Sequence, residues 1–100
     1  MTPINQNWTN DDGTPAGGIS TGIGFTISWQ RGLINEEGRN GAFLLEVMES
    51  VEKRIAYYQD TDYACDENAT ALTYLRLAKD ALLSRRQKRA DEGKLDTHKV

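Results

Sequence analysis

The sequence predicts an α+β fold: a glycine-rich β segment followed by a long antiparallel two-helix hairpin, assembled as an oligomer. Two observations predict it. Eight of the nine glycines fall between Gly13 and Gly41, and both prolines, Pro3 and Pro15, precede residue 16. Glycine and proline disfavour helix interiors, so residues 1–39 cannot be mainly helical, whereas residues 40–92 can. The hydrophobic period also changes, from two before residue 31 to three or four after residue 42. A length of 100 residues fits a single domain. It reads as a β segment over 1–39, a hairpin over 40–92 and a tail over 93–100.

Asp11-Asp12-Gly13 and Pro15-Ala16-Gly17-Gly18 read as turns. Ile23, Phe25, Ile27 and Trp29 then alternate with Gly24, Thr26, Ser28 and Gln30, which is the pattern of a strand over 22–30. One strand cannot satisfy its own backbone groups. Its partner is therefore a weak strand nearby or the same strand of another copy.

Asn40 is suited to cap a helix. Phe43, Val47, Val51, Ile55 and Tyr58 follow at helical spacing, predicting a first helix over 41–59. Asp60-Thr61-Asp62 breaks the pattern. Cys65, Ala69, Leu72, Leu75, Ala78 and Leu82 begin another, predicting a second helix over 64–91 that ends at Gly93. Asp66 and Glu67 near its start, and Arg85, Arg86, Lys88 and Arg89 near its end, complement the helix dipole. So short a connection favours an antiparallel hairpin. Leu44, Leu45, Leu77 and Leu83 lie off the two stripes. A chain this small gains little from a single core, so these leucines predict burial against other copies of the chain.

The formal net charge is −3, which gives no general reason to bind long nucleic acids. The cations are unevenly placed: residues 1–83 hold 6 basic and 12 acidic groups, and residues 84–100 hold 6 basic and 3 acidic ones. No apolar run approaches the roughly 18 residues of a membrane helix. Met1 to Asn10 lacks the basic and apolar regions of a secretory leader. The single cysteine, Cys65, excludes an internal disulfide and a cysteine-built zinc site, and it reads as a small buried hydrophobe. A reduced, cytosolic setting is the simplest expectation. Catalysis has little to work with. Cys65 and the lone His98 are far apart in sequence, and Glu46, Glu49 and Glu52 read as a solvated helix face. The sequence therefore predicts a protein that is not an enzyme and carries no cofactor.

Candidate binding groups remain. Arg39-Asn40-Gly41-Ala42-Phe43 places an arginine and bare amides at a helix start, an arrangement that holds an anion or simply caps the helix. Trp29 and Arg31 end the strand. Trp29 can stack on a base or serve as core, and Arg31 can pair with phosphate. Gly22-Ile23-Gly24 fails the dinucleotide fingerprint, since Ile27 stands where a third glycine is needed and no helix follows. Tyr57 and Tyr58 are adjacent on a helix and point about 100° apart. Tyr63 and Tyr74 read as packing residues. Arg85 and Arg89 either contact phosphate or complement the helix end. Thr97 and His98 close the tail.

The stretch Gly24-Phe25-Thr26-Ile27-Ser28-Trp29-Gln30, then Asn40-Gly41-Ala42-Phe43, Arg54 with Tyr57-Tyr58-Gln59, Cys65 with Glu67-Asn68-Ala69, and Thr97-His98, resembles a group of small bacteriophage proteins. Residues 40–92 look like the hairpin domain shared by phage anti-CBASS and Thoeris anti-defence proteins. The resemblance implies an oligomeric sponge in the host cytoplasm. It would bind a cyclic oligonucleotide or cyclic ADP-ribose-type signal without degrading it. Trp29, Phe43 or Tyr58 would then stack on bases. Arg31, Arg39, Arg54, Arg85 or Arg89 would hold phosphate, and Asn40, Thr97 and His98 would read base edges. The alternative is a structural or adaptor phage protein that acts through protein–protein contacts.

Overall fold

A computed structural model describes residues 2–95 and 97 of the chain. The chain is α+β and folds as two compact units, the first built on the residues up to Phe43 and the second on Leu44 to Leu95.

The first unit is a three-stranded antiparallel sheet of β1 (Ile4–Thr9), β2 (Pro15–Gly22) and β3 (Phe25–Trp29), in that spatial order, followed by a single helical turn, α1 (Ile34–Glu37). The partner of the alternating segment is thus in the same chain: Gly18 lies opposite Trp29 and Ser20 opposite Ile27. The expected strand over 22–30 is shorter than its pattern. Ile23 and Gly24 form the hairpin turn, where Gly24 takes φ 89° and Ile23 is 83% exposed.

The expected turn at Pro15–Gly18 is instead the start of β2. Gly17 and Gly18 are buried there. A Cβ added at Gly18 would collide with the carbonyl oxygen of Gln6 on β1, so these glycines serve close strand approach rather than chain reversal. The reversal comes earlier, where Asp12 Oδ1 accepts hydrogen bonds from the N–H and the hydroxyl of Thr14 at 2.9 and 2.6 Å. Strand β1 pairs Ile4 with Thr21 and Asn7 with Gly18. Between Asn7 and Thr9 the register shifts by one, and the extra residue lies in β2.

Beyond β3 the chain returns alongside it. Ala42 N–H donates to the Ser28 carbonyl at 2.8 Å, and Gln30 N–H donates to the Ala42 carbonyl at 3.0 Å. Gly41 allows this approach, because a Cβ there would stand 2.6 Å from the carbonyl carbon of Trp29.

The second unit consists of α2 (Leu44–Gln59) and α3 (Asp66–Asp91). Both start later than expected. Asn40 does not cap α2, because its side chain is committed to Arg31. The 26 residues of α3 extend about 39 Å at 1.5 Å per residue.

The inner stripe of α2 follows the expected one except at Val51. Val47, Met48, Ile55 and Tyr58 are half-buried as expected, and so are Leu45, Glu52 and Gln59, while Val51 is 48% exposed. On α3, Leu72, Leu75 and Leu82 turn inward as predicted. Cys65, Ala69 and Ala78, expected on the same stripe, are exposed, and Asn68 and Lys79 are half-buried instead. Glu52 can lie inside because it accepts a hydrogen bond from Lys79 Nζ at 3.0 Å and sits 3.8 Å from Arg76 Nε. Leu72, 7% exposed, is the one buried large apolar side chain among the described residues. Leu44, Leu77 and Leu83, which lie off the two stripes, are exposed within the chain, and Leu45 is half-buried. Tyr63 and Tyr74, read from the sequence as packing residues, are 78% and 67% exposed.

Candidate functional site

In the first unit the candidate residues gather around the loop from Gln30 to Gly41. Gln30 closes this loop from inside. Its Oε1 accepts from the backbone N–H of Asn40 at 2.9 Å and of Gly41 at 3.1 Å, and its Nε2 donates to the Gly38 carbonyl at 2.9 Å. Asn40 completes the closure by binding both backbone groups of Arg31. These bonds leave the Arg31 side chain exposed, with its guanidinium 5.4 Å from the centre of the Trp8 ring. Arg39 donates from Nε to the Gly41 carbonyl at 2.6 Å and lies 4.3 Å from the centre of the half-buried Phe43 ring. Trp29 is half-buried on the sheet and donates from Nε1 to Ser20 Oγ at 2.8 Å.

In the second unit Arg54 lies over two rings on the face of α2, 5.3 Å from Tyr57 and 5.0 Å from Tyr58, and Nε donates to the Tyr58 hydroxyl at 3.3 Å. Arg85 is exposed on α3. Arg89 is half-buried and donates from Nη2 to the Lys94 carbonyl at 3.1 Å, which fastens the turn that ends the helix. Thr97 is half-buried, and His98 lies outside the described residues.

The loop joining α2 and α3 is held by Gln59. Its side chain accepts from Cys65 N–H at 3.0 Å and donates to the Cys65 carbonyl at 3.1 Å. Tyr58, Tyr63, Cys65 and Asn68 line a shallow cleft of about 380 Å³ there. Nearby on the helix pair, the hydrogen bond from Lys79 holds the Glu52 carboxyl below the ordinary carboxylate range. The charges of Lys79, Arg76 and Lys53 add to this, and burial opposes it.

The structure thus joins Arg31 to Asn40, Arg39 to Phe43, and Arg54 to Tyr58. Trp8, Tyr57 and Gln30 belong to these groups as well, although none is a candidate from the sequence. The signal for Tyr57 was its spacing of three residues from Arg54. Trp8 and Gln30 had no local signal, because their partners are distant in sequence. Three of the five candidate phosphate-binding arginines lie over aromatic rings, within the roughly 6 Å range of cation–π attraction. Such a pair presents an anion-binding guanidinium edge beside an aromatic face, which suits a ligand with both phosphate and base. Among the described residues, no His, Cys, Asp and Glu cluster of three or more could hold a metal ion, and no helix is long and apolar enough to cross a membrane.

No family model matches the chain. Over 73 residues it is 34% identical to Thoeris anti-defense 1 of Bacillus phage SBSphiJ7. The chain resembles the Thoeris anti-defence family. The match covers 73% of this chain and 51% of that protein, so the chain spans about half the length of the curated relative it matches. This similarity agrees with the Thoeris part of the resemblance read from the sequence.

Proposed function

We propose that the chain is a phage anti-defence protein that binds and sequesters a cyclic nucleotide or cyclic ADP-ribose-type immune signal in the host cytoplasm without cleaving it. The observation that carries this reading is the 34% identity over 73 residues to Thoeris anti-defense 1. The arginine–aromatic pairs of both units support it. Sequestration needs no general base, nucleophile or metal. It needs cations for phosphates, flat faces for bases and donors for base edges.

In this reading Arg31, Arg39, Arg54, Arg85 and Arg89 hold phosphate, and Trp29, Phe43 and Tyr58 supply aromatic faces. Asn40, Thr97 and His98 read base edges. The two helices act as an antiparallel hairpin. The chain works as a homo-oligomer in which more than one copy contributes to enclosing a ligand, which a protein of 11.2 kDa does poorly alone. Competing with an immune sensor calls for nanomolar binding, about −12 kcal/mol.

Calorimetry with a panel of cyclic di- and trinucleotides and cyclic ADP-ribose isomers tests the proposal. Binding of one of them, with intact ligand recovered after heating the complex, is the expected result. Binding followed by recovery of a cleaved ligand would make the protein a hydrolase. The absence of heat with every ligand would favour the adaptor reading.

A further inference from the structure

Strand β1 is an edge of the sheet, and all six of its residues are exposed. Exposed edges are ordinarily protected by lysine, proline, bulges or shortness. Within Ile4–Thr9 there is no charged residue and no proline, and the extra residue of the irregular register lies in β2 rather than in β1. The strand is therefore regular along its outer side, where its backbone pairs with no strand among the described residues.

Its sequence is also symmetric by type. Ile4-Asn5-Gln6-Asn7-Trp8 runs apolar, amide, amide, amide, apolar about Gln6. Such a strand is complementary to itself when reversed. Ile4, Gln6 and Trp8 share one face of the sheet by strand alternation, and Ile4 and Trp8 are 65% and 40% exposed.

We infer that β1 pairs antiparallel with β1 of a second copy of the chain, on a two-fold axis at Gln6, joining two three-stranded sheets into one of six strands. In this register Ile4 faces the other copy's Trp8, Asn5 faces Asn7, and Gln6 faces Gln6. Each apolar side chain gains an apolar neighbour across the strands. Each amide, being both donor and acceptor, can bond its counterpart. A two-fold contact is also closed, so it ends the edge instead of propagating it. The inference rests on the homo-oligomer reading and adds the surface that makes the contact.

Sedimentation equilibrium of the full chain, the Gln6→Lys variant, the Gln6→Glu variant and an equimolar mixture of the two variants tests it. The wild type is expected at twice 11.2 kDa or a higher even multiple. Each variant alone, with like charges facing across the axis, should fall to half the wild-type mass. The mixture, with opposite charges facing, should recover that mass, which a misfolded variant cannot do. Wild-type mass in both single variants would overturn the edge pairing and leave the oligomer reading standing. Failure of the mixture to recover would overturn the axis at Gln6. A wild type at 11.2 kDa would overturn both readings.

Discussion

The side chain of Asn40 binds the backbone of Arg31 at both ends: Arg31 N–H donates to Asn40 Oδ1 at 2.9 Å, and Asn40 Nδ2 donates to the Arg31 carbonyl at 2.8 Å. One primary amide thereby imitates a paired strand residue and fixes the loop from which Arg31 and Arg39 project. Removing both bonds should cost about 1–2 kcal/mol. Asn40→Ala is expected to lower the denaturant midpoint accordingly. Asn40→Asp should also be destabilised, because it keeps the acceptor for Arg31 N–H but sets a carboxylate against the Arg31 carbonyl.

Arg31 offers the opposite case, because its backbone carries the fold and its side chain is exposed. Arg31→Ala should leave the melting temperature nearly unchanged while weakening ligand binding tenfold or more, about 1.4 kcal/mol. Arg54→Ala should behave the same way, since what it loses within the chain is contact with Tyr57 and Tyr58 on a helix face. Calorimetry paired with thermal melts reads both effects. Two variants that simply unfold would mark these arginines as structural.

Leu72 is 7% exposed and Leu77 is 58% exposed on the same helix. Leu72→Ala should lose about 2–4 kcal/mol, through lost burial and the cavity left behind. Leu77→Ala should change the stability of the isolated unit by no more than about 0.5 kcal/mol. Equilibrium unfolding followed by helical circular dichroism distinguishes the two. A large loss at Leu77 would show that its exposed face is covered by another molecule.

Glu52 sets an acid limit on the helix pair. Its carboxyl titrates below the ordinary range, chiefly because Lys79 donates to the ionised form. A carboxyl lowered in this way stabilises the folded state above its unfolded value, and that contribution disappears as pH falls through the folded value. Glu52→Gln should therefore melt below the wild type at pH 7. The gap should close as pH drops below about 4.5. An unchanged gap across the acid range would assign the loss to packing rather than to charge.

What was legible in the sequence depended on how local its cause was. Ile27 and Trp29 alternate with polar residues because one sheet face is more covered than the other, and that pattern needs no knowledge of distant residues. Leu72, Leu75 and Leu82 were legible for the same reason on a helix. Strand β1 was not, since Asn5, Gln6 and Asn7 have poor strand propensity and are held by pairing with β2. Gly17 and Gly18 look like a turn until β1 lies against them. The phase of α2 was misread at one decisive place: Glu52 turns inward because Lys79, 27 residues away, satisfies it, and Val51 turns outward in consequence. Cys65 looked apolar enough to bury, but Gln59 binds its backbone in the connecting turn. Among the site residues, Arg54 and Tyr58 lie one turn apart on α2, so their pairing left a signal in the sequence, whereas Arg39 meets Phe43 ahead of α2, where spacing carries none. The tie between Arg31 and Asn40 depends on a loop closure that Gln30 makes and that no local pattern announces.

The division of the chain at Phe43 also sorts its chromophores. Both tryptophans, Trp8 and Trp29, belong to the sheet unit, and all four tyrosines, Tyr57, Tyr58, Tyr63 and Tyr74, belong to the helical one. Indole emission, excited at the red edge of the band where phenols do not absorb, therefore reports on the sheet unit alone, and helical circular dichroism reports on the other, so the unmodified chain carries its own pair of labels. Whether the halves melt in one cooperative step or in sequence can be followed in a single cuvette.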